Sequence, residues 1–459
     1  MVRAIRKRLG LDGAIAYTFL ARMVNIAGST GTVLLIVRFL STVEQGYYYT
    51  LLSLVSLQMV FELGFSFVIL QLAAHESSRL VLQPDGGVSG DPAAHARLAS
   101  ALQLSLRWYT IAAGLMAIVL APSGMFFFAR HGASGANIAW QGPWLTAAVA
   151  SSVGLWCLPF YSFLEGCGHV RAVAALRLRQ AVATAAIAWA AMLLHRGLYS
   201  PALVIVGQVI TGLLFLFTHR RLLLGLLRHS TRQNAVHWSS EVWPFQWRIA
   251  ISWLCTYFTV QVFIPILFAL RGPVEAGQMG MSLSIAGYMT TLVLPWISTK
   301  AAPFGRMIAG RRFQELDRLF LRTLAQALGV FAMIAVAACA GIVLLNVLFP
   351  RLAARMVPPH LFALLVVASG ANCVVQCLAT LLRSFKREPF FVQSLAVASI
   401  SLVLVALTAK TWGNAGAAIS YLAATAGIGL PSALVIFIRA RRAYLRAPEP
   451  AAVCEGGAA

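Results

Sequence analysis

The chain has 459 residues, of which 59% are hydrophobic and only 11% charged, against about 25% charged in an ordinary globular domain. This composition excludes a soluble protein, and with roughly 20 residues per membrane helix and connections of about 10 to 20 the length accommodates about a dozen spans. Lys and Arg number 36 against 14 Asp and Glu, a net charge of +22. The basic residues lie between apolar runs, which points to membrane topology and not to a nucleic-acid partner.

In chain order, spans are predicted at 14–40, 46–72, 106–128, 139–163, 173–194 and 202–217, then at 249–270, 280–297, 324–349, 361–382, 390–407 and 415–438. The reading is an all-α polytopic membrane protein with about twelve transmembrane helices. It places an N-terminal six-helix lobe over 1–218, a cytoplasmic connecting segment over 219–248, a C-terminal six-helix lobe over 249–440 and a cytoplasmic tail over 441–459. Six is an even number, so the two lobes insert with the same orientation, as in a parallel repeat. The stretch 73–105 reads as a polar inner connection.

The charges orient the spans, because cytoplasmic connections retain Lys and Arg. On the side of the N-terminus fall 28 of the 36 basic residues; opposite them are only Arg38, Arg130, Arg196, Arg271, Arg351, Arg355 and Lys410, with Arg22 inside the first helix. Both termini are therefore expected to be cytoplasmic. Trp108, Trp140, Trp144, Trp243, Trp296 and Trp412 fall near span ends, where amphipathic rings settle. Six of the seven cysteines lie within or beside apolar runs, so neither a disulfide framework nor a zinc site is indicated, and Cys373 with Cys377 reads as helix packing.

Two residues are ionisable inside apolar runs, Arg22 and Glu62, where a charge costs about 2.5–3.5 kcal/mol even on insertion scales. Counted along their helices, their depths differ by about 3 Å. They are read either as an ion pair locking two helices or as part of a water-filled substrate or proton path. Arg38, Arg248, Lys300, Arg306 and Arg383 stand near span ends. Singly each is an interfacial anchor; together, facing a cavity, they would bind an anion, since Arg forks onto phosphate oxygens. No G-x-x-x-x-G-K-[ST] occurs, no metal or other cofactor is indicated, and the outer side offers only Glu44 and Glu275 as acids, which argues against an enzyme.

Several segments resemble the polysaccharide-exporter branch of the multidrug/oligosaccharidyl-lipid/polysaccharide (MOP) superfamily, which contains the O-antigen flippases. They are Gln45-Gly46-Tyr47-Tyr48-Tyr49, Phe61-Glu62-Leu63-Gly64-Phe65, His75-Glu76-Ser77, Glu165-Gly166-Cys167-Gly168, Pro303-Phe304-Gly305-Arg306 with Gly310-Arg311-Arg312, and Gly413-Asn414-Ala415-Gly416-Ala417-Ala418. They span nearly the whole chain in family order, with Glu62 standing where many relatives carry an aspartate. The resemblance implies a MATE-like fold whose two lobes face a cavity. It further implies a flippase that moves a polyprenyl-pyrophosphate-linked oligosaccharide across the bacterial inner membrane by alternating access. Its partners would be that substrate, membrane lipids and other polysaccharide assembly proteins. Arg22 and Glu62 in the first lobe and Arg248, Lys300 and Arg383 in the second are the carried-over site. The alternatives are a cation-coupled drug antiporter of the same superfamily and a membrane enzyme of envelope glycan assembly.

Overall fold

The computed structural model describes residues 13–82, 87–132, 138–228, 236, 238–385 and 390–445, with the backbone alone at 13–15, 82, 239–240, 244–245, 248–249, 252–253, 256, 302 and 309. The first span is α1 (Gly13–Phe39). The second is broken into α2 (Thr42–Val55), α3 (Gln58–Glu62) and α4 (Phe65–Ser77), with a 45° bend before α4. A capping box opens α2: Ser41 and Glu44 each accept the other's backbone N–H, which satisfies two helix-end donors reciprocally. The bend comes from two successive left-handed residues, Leu63 at φ 53° and Gly64 at φ 65°. Glycine adopts that conformation freely, whereas for leucine it costs about 1–2 kcal/mol.

The expected polar connection over 73–105 is mostly regular structure. A short antiparallel hairpin pairs Leu80–Leu82 with Val88–Gly90, and the Asp91 side chain then caps α5 (Pro92–His131) by accepting from Ala93 N–H. The helix thus begins about four turns before its apolar run. Ala94, Leu98, Ala101, Leu102 and Ser105 on these turns are buried, the spacing of one helix face. Then come α6 (Gln141–Gly166), α7 (Val170–Leu193) and α8 (Ser200–Thr218). α1 packs along α7, and α6 packs against α4, α5 and α8. The α5–α6 contact is fixed by Trp144, whose indole N–H donates to Ala121 O at 2.9 Å and whose ring lies where a Gly124 Cβ would stand, 2.0 Å away.

Beyond the amphipathic α9 (Arg220–Arg228), the seventh span is again in two pieces, α10 (Trp243–Val260) and α11 (Phe263–Arg271), followed by α12 (Pro273–Val293). The first compact unit of the chain runs to Met281. It extends past the connecting segment because α2 is stitched to α11 and to the start of α12. Gln45 Nε2 donates to Gly277 O at 3.0 Å and Ser53 Oγ to Gln261 O at 2.6 Å. Tyr47 stacks on Phe128 at 5.4 Å and meets Phe268 edge-on at 5.0 Å. At Gly46 the backbones approach so closely that a Cβ would sit 2.0 Å from Pro273 O.

The second compact unit starts at Ser282. It holds the end of α12, a single turn at Pro295–Ser298, α13 (Ala301–Ala309), α14 (Phe313–Leu348), α15 (Pro359–Arg383), α16 (Phe391–Leu422) and α17 (Leu430–Leu445). Helix is continuous from Phe391 to Leu445, 55 residues, but it holds two spans. Gly413 is non-helical at φ 53°, ψ −130°, and Thr408 Oγ1 lies 2.9 Å from Ser420 Oγ, where a straight helix would separate them by about 18 Å. Gly416 permits this reversal, since a Cβ there would meet Thr408 O at 2.5 Å. Near the start of α14, Asp317 receives a two-pronged bond from Arg441, Nε to Oδ1 at 2.7 Å and Nη2 to Oδ2 at 2.5 Å.

Among the described residues eight helical segments are long and apolar enough to cross a membrane, nine with the bent second span. The doubled Phe391–Leu445 segment, α7 and the α10–α11 pair complete the twelve, an all-α polytopic membrane protein. The substitution Gly64→Ala forces a Cβ into a left-handed position and is expected to destabilise by about 1–2 kcal/mol. Gly46→Ala should cost more, because backbone must move. Thermal unfolding in detergent checks both, and melting temperatures equal to that of the unaltered protein would contradict the tight-packing account.

Candidate functional site

The bend of the second span opens a cavity inside the first unit. Its volume is about 600 Å³ and its walls come from α2, α3, α4, α6, α7 and α8, within the ~300–1,000 Å³ range of ligand sites. Gln180 stands about 15 Å along α7 from its start.

Glu62 ends α3 at the bend and is buried at 8% exposure. The Ser66 hydroxyl, one turn on across the break, donates to its Oε1 at 2.5 Å. Arg177 on α7 also lines the cavity but is engaged by Glu165, at 2.7 Å. Two amides are oriented by their own donors: Gln180 Nε2 donates to Gln208 O at 3.0 Å and Gln208 Nε2 to Thr184 Oγ1 at 3.2 Å. Gln58, Ser162 and Tyr161 add further polar groups. Tyr161 is seated against bare backbone, its hydroxyl 1.8 Å from where a Gly212 Cβ would be, and its ring meets Phe215 edge-on at 6.2 Å.

Of the residues singled out from sequence, the structure brings Glu62 to this cavity and, among the described residues, none of the basic ones. The pairing of Glu62 with Arg22 is corrected. Arg22 is exposed on α1, no ion pair joins these two described residues, and Ser66 is the partner of Glu62. Equal depth does not make neighbours: α1 packs along α7 and not along the second span. Arg38 is exposed near the end of α1, its guanidinium 5.9 Å from the Phe39 ring. The side chain of Arg248 lies outside the described residues. In the second unit Lys300 is half-buried before α13, while Arg306 on α13 and Arg383 at the end of α15 are exposed.

Sequence reasoning missed Arg177, Gln180 and Gln208. Arg177 and Gln180 are three apart, on one helix face, and Gln208 interrupts an apolar run. Those polar interruptions were the available signal. Elsewhere in the same unit, Arg97 on α5 bridges Glu76 at 2.8 Å and Glu241 at 2.6 Å. The two carboxylates, Glu241 foremost, raise its pKa above the usual arginine value. Among the described residues no group of three or more His, Cys, Asp or Glu could hold a metal ion.

No family model and no curated protein matches the sequence. Solved structures do. An inward-facing multidrug resistance MATE family transporter of the MOP superfamily matches at TM-score 0.55 and 14% identity, over 91% of this chain and 99% of that one. The lipid II flippase MurJ, in an inward closed conformation, matches at 0.56 and 14%, over 94% and 90%. A mutant of the Vibrio cholerae MATE transporter VcmN matches at 0.55 and 14%, over 95% and 98%. The fold is therefore MATE-like.

The seating of Tyr161 is testable. Gly212→Ala overpacks the site and is expected to destabilise by about 1–3 kcal/mol. Combining it with Tyr161→Phe, which removes the colliding hydroxyl, should recover part of that loss. Additive losses in the double variant would contradict the contact.

Proposed function

We propose that this protein is a flippase that moves a polyprenyl-pyrophosphate-linked oligosaccharide from the cytoplasmic to the outer leaflet of the bacterial inner membrane, with both termini cytoplasmic. The observation that carries the reading is the cavity of about 600 Å³ among the helices of the first unit, with Gln58, Glu62, Gln180 and Gln208 on its walls. Polar groups facing a hole in a membrane protein are costly to leave unmatched, and the cavity serves a passenger better than it serves packing. Glu62, Gln58, Gln180 and Gln208 offer hydrogen bonds to a glycan that must leave water. The likeness to a structure described as a lipid II flippase supports a lipid-linked passenger, and the ordered motif segments support its glycan character. Arg22, Arg38, Arg248, Lys300, Arg306 and Arg383 are proposed singly as candidates for contact with its pyrophosphate.

The drug-antiporter reading has one observation in its favour, the buried carboxyl of Glu62 on the cavity wall, which could hold a cation. It accounts less well for the amides and hydroxyls around it. Depletion of the protein in cells followed by probing of spheroplasts with an impermeant glycosidase separates the readings. Accumulation of intact, inaccessible lipid-linked glycan is expected. Unchanged sidedness with raised drug sensitivity would favour the antiporter, and a shortened or unligated glycan of normal sidedness would favour an enzyme.

A further inference from the structure

We infer that α9 is a docking surface for the phosphates of anionic lipid headgroups in the leaflet it borders. The inference is independent of what the protein transports. At 3.6 residues per turn, Leu222, Leu223 and Leu226 fall on one arc of the helix about 100° wide, and Arg220, Arg221, Leu224 and Arg228 on the opposite arc. The structure sorts them accordingly: the three leucines are buried and the other four residues are exposed. α9 packs on α5 and α8, and Gln103 Nε2 of α5 donates to Leu227 O at 3.0 Å. These contacts hold the arginine face outward.

Two features select lipid over water and over a soluble partner. The first is position. The span containing α8 ends at Thr218, and its exposed apolar face, made by Ile210, Leu213, Leu214 and Phe217, stops where the arginines begin. Arg220 marks that boundary: its guanidinium lies 3.9 Å over the Phe217 ring and its Nη1 donates to Phe217 O at 3.1 Å. Leu224 is 45% exposed between the arginines, an apolar side chain of the kind an interfacial helix sinks at the headgroup boundary. The second feature is charge. No Asp or Glu occurs between Glu165 and Glu241, nor anywhere on α5, so α9 and both helices it packs on carry no acid. Arg107, one turn along α5 from Gln103, is exposed and adds a further positive charge. Among the described residues Arg220, Arg221 and Arg228 make no ion pair. Like charges on one helix face repel, and the anions that offset them come from outside the protein. Lipid phosphates lie at this level of the membrane and match the forked donors of arginine.

The test is native mass spectrometry of the purified full chain, with phosphatidylglycerol and phosphatidylcholine of equal chain length titrated separately. Phosphatidylglycerol is expected to bind more tightly. Its affinity should fall about fivefold in Arg221→Gln and by a similar factor in Arg228→Gln, the effect of one basic residue near an anionic surface. Phosphatidylcholine binding, unchanged in both, shows that the variants remain folded. Arg221→Lys and Arg228→Lys keep the charge and should keep most of the affinity. Arg318→Gln, which removes an exposed charge from α14, is expected to change nothing. Equal affinity for the two lipids, a phosphatidylglycerol affinity indifferent to both glutamine variants, or an equal fall in Arg318→Gln would each overturn the inference. Polyglutamate bound more tightly than phosphatidylglycerol, and lost in the same two variants, would give the face to an acidic protein and overturn it as well.

Discussion

The hydrocarbon core holds no water to satisfy a free backbone N–H or C=O, and every other feature of this protein answers to that constraint. It makes the crossing segments helical and confines any break to a place where protein or a polar cavity surrounds it. The second span breaks at Leu63 and Gly64, both left-handed. A leucine there stores strain that a regular helix would release. The break ends α3 at Glu62 and starts α4 with Ser66 in its first turn, so the pair that marks the cavity wall is a direct product of the irregular backbone.

The first unit is closely packed at several glycines. Trp144 fills the space left by Gly124, Gly46 brings α2 onto Pro273, and Tyr161 rests on Gly212. Close approaches of this kind are how membrane helices gain packing energy without a hydrophobic driving force between them. The polar groups of the cavity wall are thus held by well-packed helices, with two of its amides donating to neighbouring groups. Such preorganisation lowers the cost of ordering groups when a ligand arrives. The clamp of Arg97 on Glu76 and Glu241 ties α4, α5 and the stretch before α10 together in the same unit.

The spans were legible in the sequence wherever twenty apolar residues run together, and the reversal at Gly413 was legible as a break between runs. The first turns of α5 were not, because Arg97 and the small residues Ala94, Ala99 and Ala101 dilute the hydropathy even though their buried face keeps a helical period. Glu62 was legible as a charge out of place. Its partner was not, since position along a helix says nothing about which neighbour lies beside it, and α1 chose α7. Arg177 was hidden by its own charge: among the basic residues of inner connections it counts as a topology signal, and only the fold shows it facing the cavity.

The central claim is that this chain by itself moves lipid-linked glycan between leaflets. The most direct test is the purified protein reconstituted into liposomes containing a polyprenyl-pyrophosphate-linked oligosaccharide, with an impermeant glycosidase added outside. Transbilayer movement predicts that the digested fraction rises from the outer-leaflet share toward completion, at a rate set by protein density and slowed in Glu62→Gln. A fraction that stays at the level of protein-free liposomes, with the protein monodisperse and inserted, would contradict it.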